Sequence, residues 1–269
     1  MIQTLKPNSV GNDYIVGDLH GCYDLLVTAL DNLDFNPTKD RLISVGDLID
    51  RGQKNEECLN LLEEDWFYSV RGNHEDLMLA HFSGNPMGVY WDYNGGGWWR
   101  SCSFKDDEIK VKRLIELVVA LPFCIILELP DNKKCYVIHA ELPVNELTDE
   151  NFKEEFSKAA FTQMGDGEAV LWGRDKFGMF YAQDLSRLAK AKRTVAYHGF
   201  ANRLNLSHIY SGHTIVRQPL TISGQTCIDT GAFRTEKSSW AGLTLVNPST
   251  QEFWTTNYEG TRKVQPIEL

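Results

Sequence analysis

The chain has 269 residues, 42% hydrophobic and 11% aromatic, enough apolar material for a sizeable core, and it reads as one domain spanning 1–269. Its formal net charge of −10 argues against non-specific nucleic-acid binding in the absence of a local basic groove, and no apolar run is long enough to span a bilayer. The N-terminal stretch lacks a secretory signal, and the six cysteines are scattered without a C-x-x-C pair, so the expectation is a cytoplasmic protein with reduced thiols and neither a thiolate zinc site nor a disulfide framework.

In chain order, Asp13–Asp18 (DYIVGD) is a short apolar strand ending in Gly-Asp, and Tyr23–Leu33 (YDLLVTALDNL) spaces its apolar residues as an amphipathic helix. Arg41–Asp47 (RLISVGD) repeats the strand with the same ending. A helix over Asn55–Glu64, a strand over Trp66–Asn73 (WFYSVRGN) and a helix over Glu75–Phe82 follow. This alternation predicts a largely parallel sheet. Later β-like runs at Lys134–Ala140 (KCYVIHA), His208–Thr214 (HIYSGHT), Thr226–Ala232 (TCIDTGA) and Gly242–Asn247 (GLTLVN) predict a second sheet. Less regular regions are expected at Val144–Ala169 and Lys176–Asn205, and the C-terminal tail is expected to start as a strand and end loosely.

The polar residues gather where these strands end, which is where open α/β sheets present side chains to ligands. The first strand gives Asp18 and His20 (GDLHG), the second Asp47, Asp50 and Arg51 (GDLIDRG), and the third Arg71, Asn73 and His74 (RGNHE). Two later strands give His139 and His213. Carboxylates and imidazoles with one amide oxygen and no thiolate form a mixed N/O set suited to manganese, iron or zinc. Asp18, His20, Asp47, Asn73, His139 and His213 are too many for one catalytic ion that keeps open positions, so two ions fit better. With a bridging carboxylate they would share a hydroxide and clamp the oxygens of an in-line displacement, which is a phosphoryl-transfer design.

Together, GDLHGCYDLL, LISVGDLIDRG, VRGNHE, NGGGWW, IDTGA and the later HA and GHT resemble the metal-dependent phosphoprotein phosphatase family, within the calcineurin-like metallophosphoesterases, and more narrowly its phage and bacterial members. The resemblance implies an α/β fold of two mixed β-sheets packed as a sandwich and flanked by helices. It implies two divalent ions, manganese favoured with iron or zinc possible, and phosphoprotein or phosphopeptide substrates carrying phosphoserine, phosphothreonine or phosphotyrosine. Asp18 and His20 match ligands of the first ion, Asp47 the bridging carboxylate, and Asn73, His139 and His213 ligands of the second. His74 matches the general acid and Asp50 the carboxylate that orients it, while Arg51, Arg71 and Arg174 match phosphate-binding arginines. Diadenosine tetraphosphate hydrolases share GDLHGCYD but typically carry GDLVARG and LGNHD, whereas this chain has Asp50 and Arg71 at the differing positions. A catalytically silent metal-binding scaffold is the other alternative, against which no ligand or acid histidine is missing.

The same reading expects Glu75 and Asp76 only to begin a helix, leaves Glu141 open as a modifier of the rim, and has Trp98 and Trp99 either wall the cleft or fill core. The mixed basic and aromatic segment 176–205 either grips substrate or is a solvated helix and loop. His81, His198 and His208 are read as structural.

Overall fold

The computed structural model describes residues 2–142, 147–161, 166–185 and 205–269. In chain order its elements are β1 (Ile2–Leu5), β2 (Asp13–Val16), α1 (Tyr23–Asn32), β3 (Arg41–Ser44), α2 (Asn55–Asn60), β4 (Phe67–Ser69), α3 (Asn73–Phe82), α4 (Val89–Tyr93), α5 (Glu108–Ala120), β5 (Cys124–Glu128) and β6 (Lys134–Ile138). They continue with α6 (Phe152–Phe161), α7 (Asp166–Trp172), β7 (Ile209–Ser211), β8 (Leu220–Ile222), β9 (Gln225–Cys227), β10 (Leu243–Asn247), β11 (Glu252–Asn257), β12 (Gly260–Val264) and β13 (Ile267–Glu268).

One sheet has the order β12-β11-β10-β2-β3-β4, the other β1-β5-β6-β7-β9-β8-β13. In the first, β2, β3 and β4 are parallel, as the strand and helix alternation predicts, and β10 adds antiparallel to β2. The run at Gly242–Asn247 therefore joins the first sheet instead of the second. Its apolar pattern marks a buried strand, but the partner is chosen by tertiary packing. The tail does not end loosely: β11 and β12 form a hairpin, and β13 pairs parallel to β8. The span 144–169, expected to be irregular, carries α6 and the start of α7.

Strand alternation sorts the core into layers. Ile15, Ile43, Ile125, Val137, Val246 and Phe253 point between the sheets. Their neighbours Val16 and Leu42 face outward onto Leu25 and Leu26 of α1, Leu77 of α3 and Val118 of α5. On the opposite flank Ile126, Tyr136 and Ile138 meet Phe152 and Phe156 of α6. Two mixed sheets thus pack as a sandwich between helices. No helix among the described residues is long and apolar enough to cross a membrane. Adjacent parallel strands β2, β3, β4 in one sheet and β6, β7, β9 in the other bring six carboxyl ends to one rim.

Candidate active site

The turns leaving these strands hold unusual backbone. His20, Asp47, Asp50, Arg51 and His213 have φ of 43°, 51°, 75°, 71° and 67°, a region that costs a non-glycine residue about 1–3 kcal/mol and persists only where the surroundings fix it. Here they do. The backbone N–H groups of His20 and Gly21 donate to Asp47 O at 2.8 Å and Leu48 O at 2.9 Å, and Asp50 N donates to Asn55 Oδ1 at 2.7 Å. Close approach also demands glycine: a Cβ on Gly212 would lie 1.8 Å from Asp18 Oδ1.

Two sets of ligand-type atoms meet at Asp47. Asn73 Oδ1, His139 Nε2 and His213 Nδ1 lie 2.9, 3.2 and 2.9 Å from one another, and Asp47 Oδ1 is 3.4 Å from His139 Nε2. On its other side Asp47 Oδ2 is 3.6 Å from His20 Nε2 and 3.8 Å from His74 Nε2. Both groups have the closeness and donor types of a metal site. The rings of His20 and His139 are oriented by Nδ1, which contacts Ile49 O and Val45 O, each at 2.8 Å, so that Nε2 presents its lone pair inward. The convergence of three ligand-type atoms, Asn73 Oδ1, His139 Nε2 and His213 Nδ1, on one buried point is what a bound cation would resolve, and an N/O set without thiolate fits manganese, iron or zinc. Asp18 lies against this second set, its oxygens accepting from His213 N at 3.0 and 3.2 Å.

Burial, which opposes the charged form, holds the imidazoles of His20, His139 and His213 below the ordinary histidine range, leaving the neutral ring that ligates metal. Burial also opposes ionisation of Asp47, but the imidazoles of His139, His74, His20 and His213 outweigh it and keep this carboxylate well below its usual range. Asp18 moves the other way, raised by burial and then by the charges of Asp229 and Asp47. One carboxylate is thus firmly anionic at the centre of the group. The amide of His74 at the start of α3 also donates to Asp47 Oδ1 at 3.0 Å, adding the positive end of a helix.

His74 is fully buried, with Nδ1 2.6 Å from Asp50 Oδ2. Burial disfavours its charged form, yet Asp47 and the bond to Asp50 prevail and raise its pKa above the ordinary histidine value. Arg51 is exposed, with guanidinium nitrogens 2.6 Å from Nε2 of His20 and 2.9 Å from Nε2 of His74, and its guanidinium lies 4.8 Å from the Phe233 ring. Arg174, also exposed, donates to His213 O at 3.1 Å and Thr214 Oγ1 at 3.2 Å. Arg71 does not join them. Its guanidinium donates to Val119 O at 2.6 Å, lies 3.6 Å from Asp76 and stacks 5.0 Å from Phe123, so it braces α3 against α5.

Four further residues matter here that sequence reasoning missed or left open. Glu75 begins α3 as expected, but its buried carboxylate also accepts backbone N–H bonds from Asp47, Leu48 and Gly72 at 2.9, 2.8 and 2.8 Å. It thereby fixes the turn carrying the central ligand. Glu141, buried, accepts from Lys176 N at 2.8 Å and Phe177 N at 3.0 Å and so anchors the turn that follows Arg174. Trp98 does wall this region, donating from Nε1 to Asp50. Asp229 supplies the sixth strand end: it is buried, Oδ1 accepts from Gly231 N, and burial foremost moves its carboxyl up to about 6. The pattern strand, acid, Thr-Gly in TCIDTGA was its available signal. Residues 186–204 of the basic and aromatic segment, including His198, lie outside the described residues. Of its first part, Lys176 is buried and donates from Nζ to Gln225 Oε1 at 3.1 Å.

The fold and this site define a phosphoesterase architecture, and residues 14–217 match the model of the calcineurin-like phosphoesterase family. The chain belongs to that family. It is 36% identical over 221 residues to Serine/threonine-protein phosphatase 2 of Salmonella typhimurium, covering 82% of this chain and 87% of the relative. It is 48% identical to the symmetrical bis(5'-nucleosyl)-tetraphosphatase of Haemophilus influenzae, but over only 69 residues, 25% of each chain. Among solved structures, a protein serine/threonine phosphatase from Saccharomyces cerevisiae superposes with a TM-score of 0.56 at 16% identity, covering 100% of this chain and 84% of that one, which supports the fold.

Proposed function

We propose that this protein is a metal-dependent phosphoprotein phosphatase that hydrolyses phosphoserine and phosphothreonine monoesters, works as one domain in the cytoplasm and uses two divalent ions, manganese first among them. The observation that carries this reading is Asp47 set between two converging ligand groups, with the His74 and Asp50 pair alongside and two exposed arginines at the edge. Asp18, His20, Asp47, Asn73, His139 and His213 would hold the ions. Bound there, they would supply Lewis acidity toward phosphoryl oxygens and lower the pKa of a coordinated water toward neutrality.

The chain's own residues account for the rest. Arg51 and Arg174 present guanidinium forks suited to a dianionic phosphate. Because Arg51 covers Nε2 of His74, its engagement by phosphate uncovers that nitrogen. A serine or threonine oxygen leaves with developing negative charge, and His74 donates its proton there, held by Asp50 and kept charged by neighbouring carboxylates. Asp50 also favours the protein-phosphatase reading over the dinucleotide one, as it gives the acid histidine a carboxylate partner. Similarity over most of the chain to a named protein phosphatase supports the same side.

The test is phosphate release by metal-stripped protein reconstituted with manganese, on phosphoserine, phosphothreonine and phosphotyrosine peptides and on diadenosine tetraphosphate at matched concentration. Chelator-sensitive turnover of the first two peptides is expected. Preferred cleavage of the dinucleotide would retain the ligand assignments and overturn the substrate.

A further inference from the structure

We propose that Trp91 and Trp98 are positioning residues for the proton transfer, holding Asp50 in the one orientation that aims His74 at the leaving oxygen. This rests on the reading of His74 as the general acid. Asp50 is fully buried, so bulk solvent does not reach its carboxylate. Three N–H groups do so instead. Trp98 Nε1 donates to Oδ1 at 2.7 Å, Trp91 Nε1 reaches Oδ1 and Oδ2 at 3.1 and 3.0 Å, and His74 Nδ1 takes Oδ2 at 2.6 Å. The two indoles arrive from 48 and 41 residues along the chain.

The segment that delivers them is shaped for that approach. Gly95 has φ +113°, and a Cβ there would meet Arg51 N at 2.9 Å and Asp50 Cβ at 3.2 Å. A Cβ on Gly96 would meet the Trp91 ring at 2.5 Å. The indoles then lock edge to face at 6.1 Å, backed by Phe82 and Trp99 at 6.0 and 6.5 Å from Trp91. A purely apolar role would be met by phenylalanine. It does not explain two indole N–H groups on one buried carboxylate, each compensating a desolvation that water cannot.

With both donors in place the carboxylate cannot rotate, and the imidazole bonded to it cannot turn. As a water oxygen, its proton given up to solvent, bonds to phosphorus, the ester P–O bond breaks and its electron pair leaves on the serine oxygen, which takes the Nε2 proton of His74. The neutral ring keeps its Nδ1–H bond to Asp50. Loosening Asp50 misaims that proton, and the cost falls on substrates that need it.

The experiment compares kcat of manganese-loaded protein on a phosphoserine peptide, whose alkoxide requires the proton, and on p-nitrophenyl phosphate, whose phenolate leaves without it. Trp98→Phe is expected to lose about 10-fold on the peptide and less than about 2-fold on the aryl ester, and the double Trp91→Phe, Trp98→Phe variant about 100-fold on the peptide, approaching His74→Asn. Metal content and the thermal melt identify variants that are folded and loaded. Trp98 is half-buried, so the single variant decides the matter if the double variant does not fold. Equal losses on both substrates, or none on the peptide, in folded and loaded Trp98→Phe would overturn the proposal. If His74→Asn itself shows no leaving-group dependence, the general-acid reading falls and takes the proposal with it. Steep dependence in His74→Asn with a flat response in Trp98→Phe overturns the tryptophan role alone.

Discussion

The two strand rims that meet at the site are built by different means. After β2, β3 and β4 the chemistry is packed into short contiguous motifs whose loops are tied together by side chains: Glu75 holds the Asp47 turn, Asn55 holds Asp50, and Asp50 holds His74. After β6 and β7 each strand gives a single ligand, fixed largely by backbone bonds such as Gly212 N to His139 O at 2.8 Å. Its other contributions are Asp229 after β9 and Arg174, which arrives from the turn after α7. On the proposed reading the reaction chemistry is concentrated on the first rim, while the second would close one ion site and grip substrate. Damage to the first rim or to the His139 and His213 ligands should remove turnover, and damage to the Arg174 turn should weaken binding.

The sharpest way to break this contrast is Asp47→Ala, since Asp47 lies between both ligand groups. Loss of both ions and a fall in kcat of at least about 10³-fold are expected, read by metal analysis alongside phosphate release. A variant that still binds two ions would show that the rims do not share this carboxylate.

Glu75→Gln tests whether the first rim depends on its side-chain ties. The amide keeps the shape but turns an NH₂ group toward backbone donors that Glu75 accepts. A loss of about 2 kcal/mol in urea-unfolding stability, with weaker manganese binding by titration, is the expected outcome. Unchanged values on both counts would mean that the Asp47 turn holds itself.

What could be read beforehand follows the same division. Asp18, His20, Asp47, Asn73, His139 and His213 stand out as candidates because each follows an apolar strand, and all but His139 sit beside glycine, a local signal. Glu75, Trp91 and Trp98 act through contacts 27 to 48 residues away in the chain, and nothing in their spacing announces which way they point. Arg71 shows the converse. It stands in the richest motif of the chain, yet its guanidinium braces two helices, because motif position fixes where a side chain starts and not where it ends. For the same reason Gly242–Asn247 was legible as a strand while its sheet was not.

The far end of the second sheet supplies a control remote from both rims. His208 precedes β7, with Nε2 2.7 Å from Thr226 Oγ1, and burial moves its pKa down to about 4. The unfolded ring titrates near the ordinary 6.5, so only the unfolded state gains a proton between those values. Stability from this group is complete above pH ~6.5 and is lost as pH falls toward 4. In chelator-treated protein, urea-unfolding free energy should drop between pH 7 and 4.5 by about 2 kcal/mol more than in His208→Gln, the half-buried setting reducing the full linkage value. Parallel curves for the two proteins would remove His208 as the cause.

Glu141→Gln should give the smallest effect and the finest division between the rims. Glu141 follows His139 by two residues, but its carboxylate accepts the N–H groups of Lys176 and Phe177. Those bonds hold the turn that sets Arg174, whose guanidinium rests on His213 O and Thr214 Oγ1. Weakening them leaves every ligand and the His74 and Asp50 pair in place, while one of the two phosphate-gripping arginines loses preorganisation. The expected result is a rise of roughly 5-fold in KM for a phosphopeptide, about 1 kcal/mol of binding, with kcat and manganese content unchanged. Loss of a group that binds ground state and transition state alike has that signature. If kcat fell and KM did not, Arg174 would be engaged mainly in the transition state, and the second rim would share in the chemistry assigned to the first.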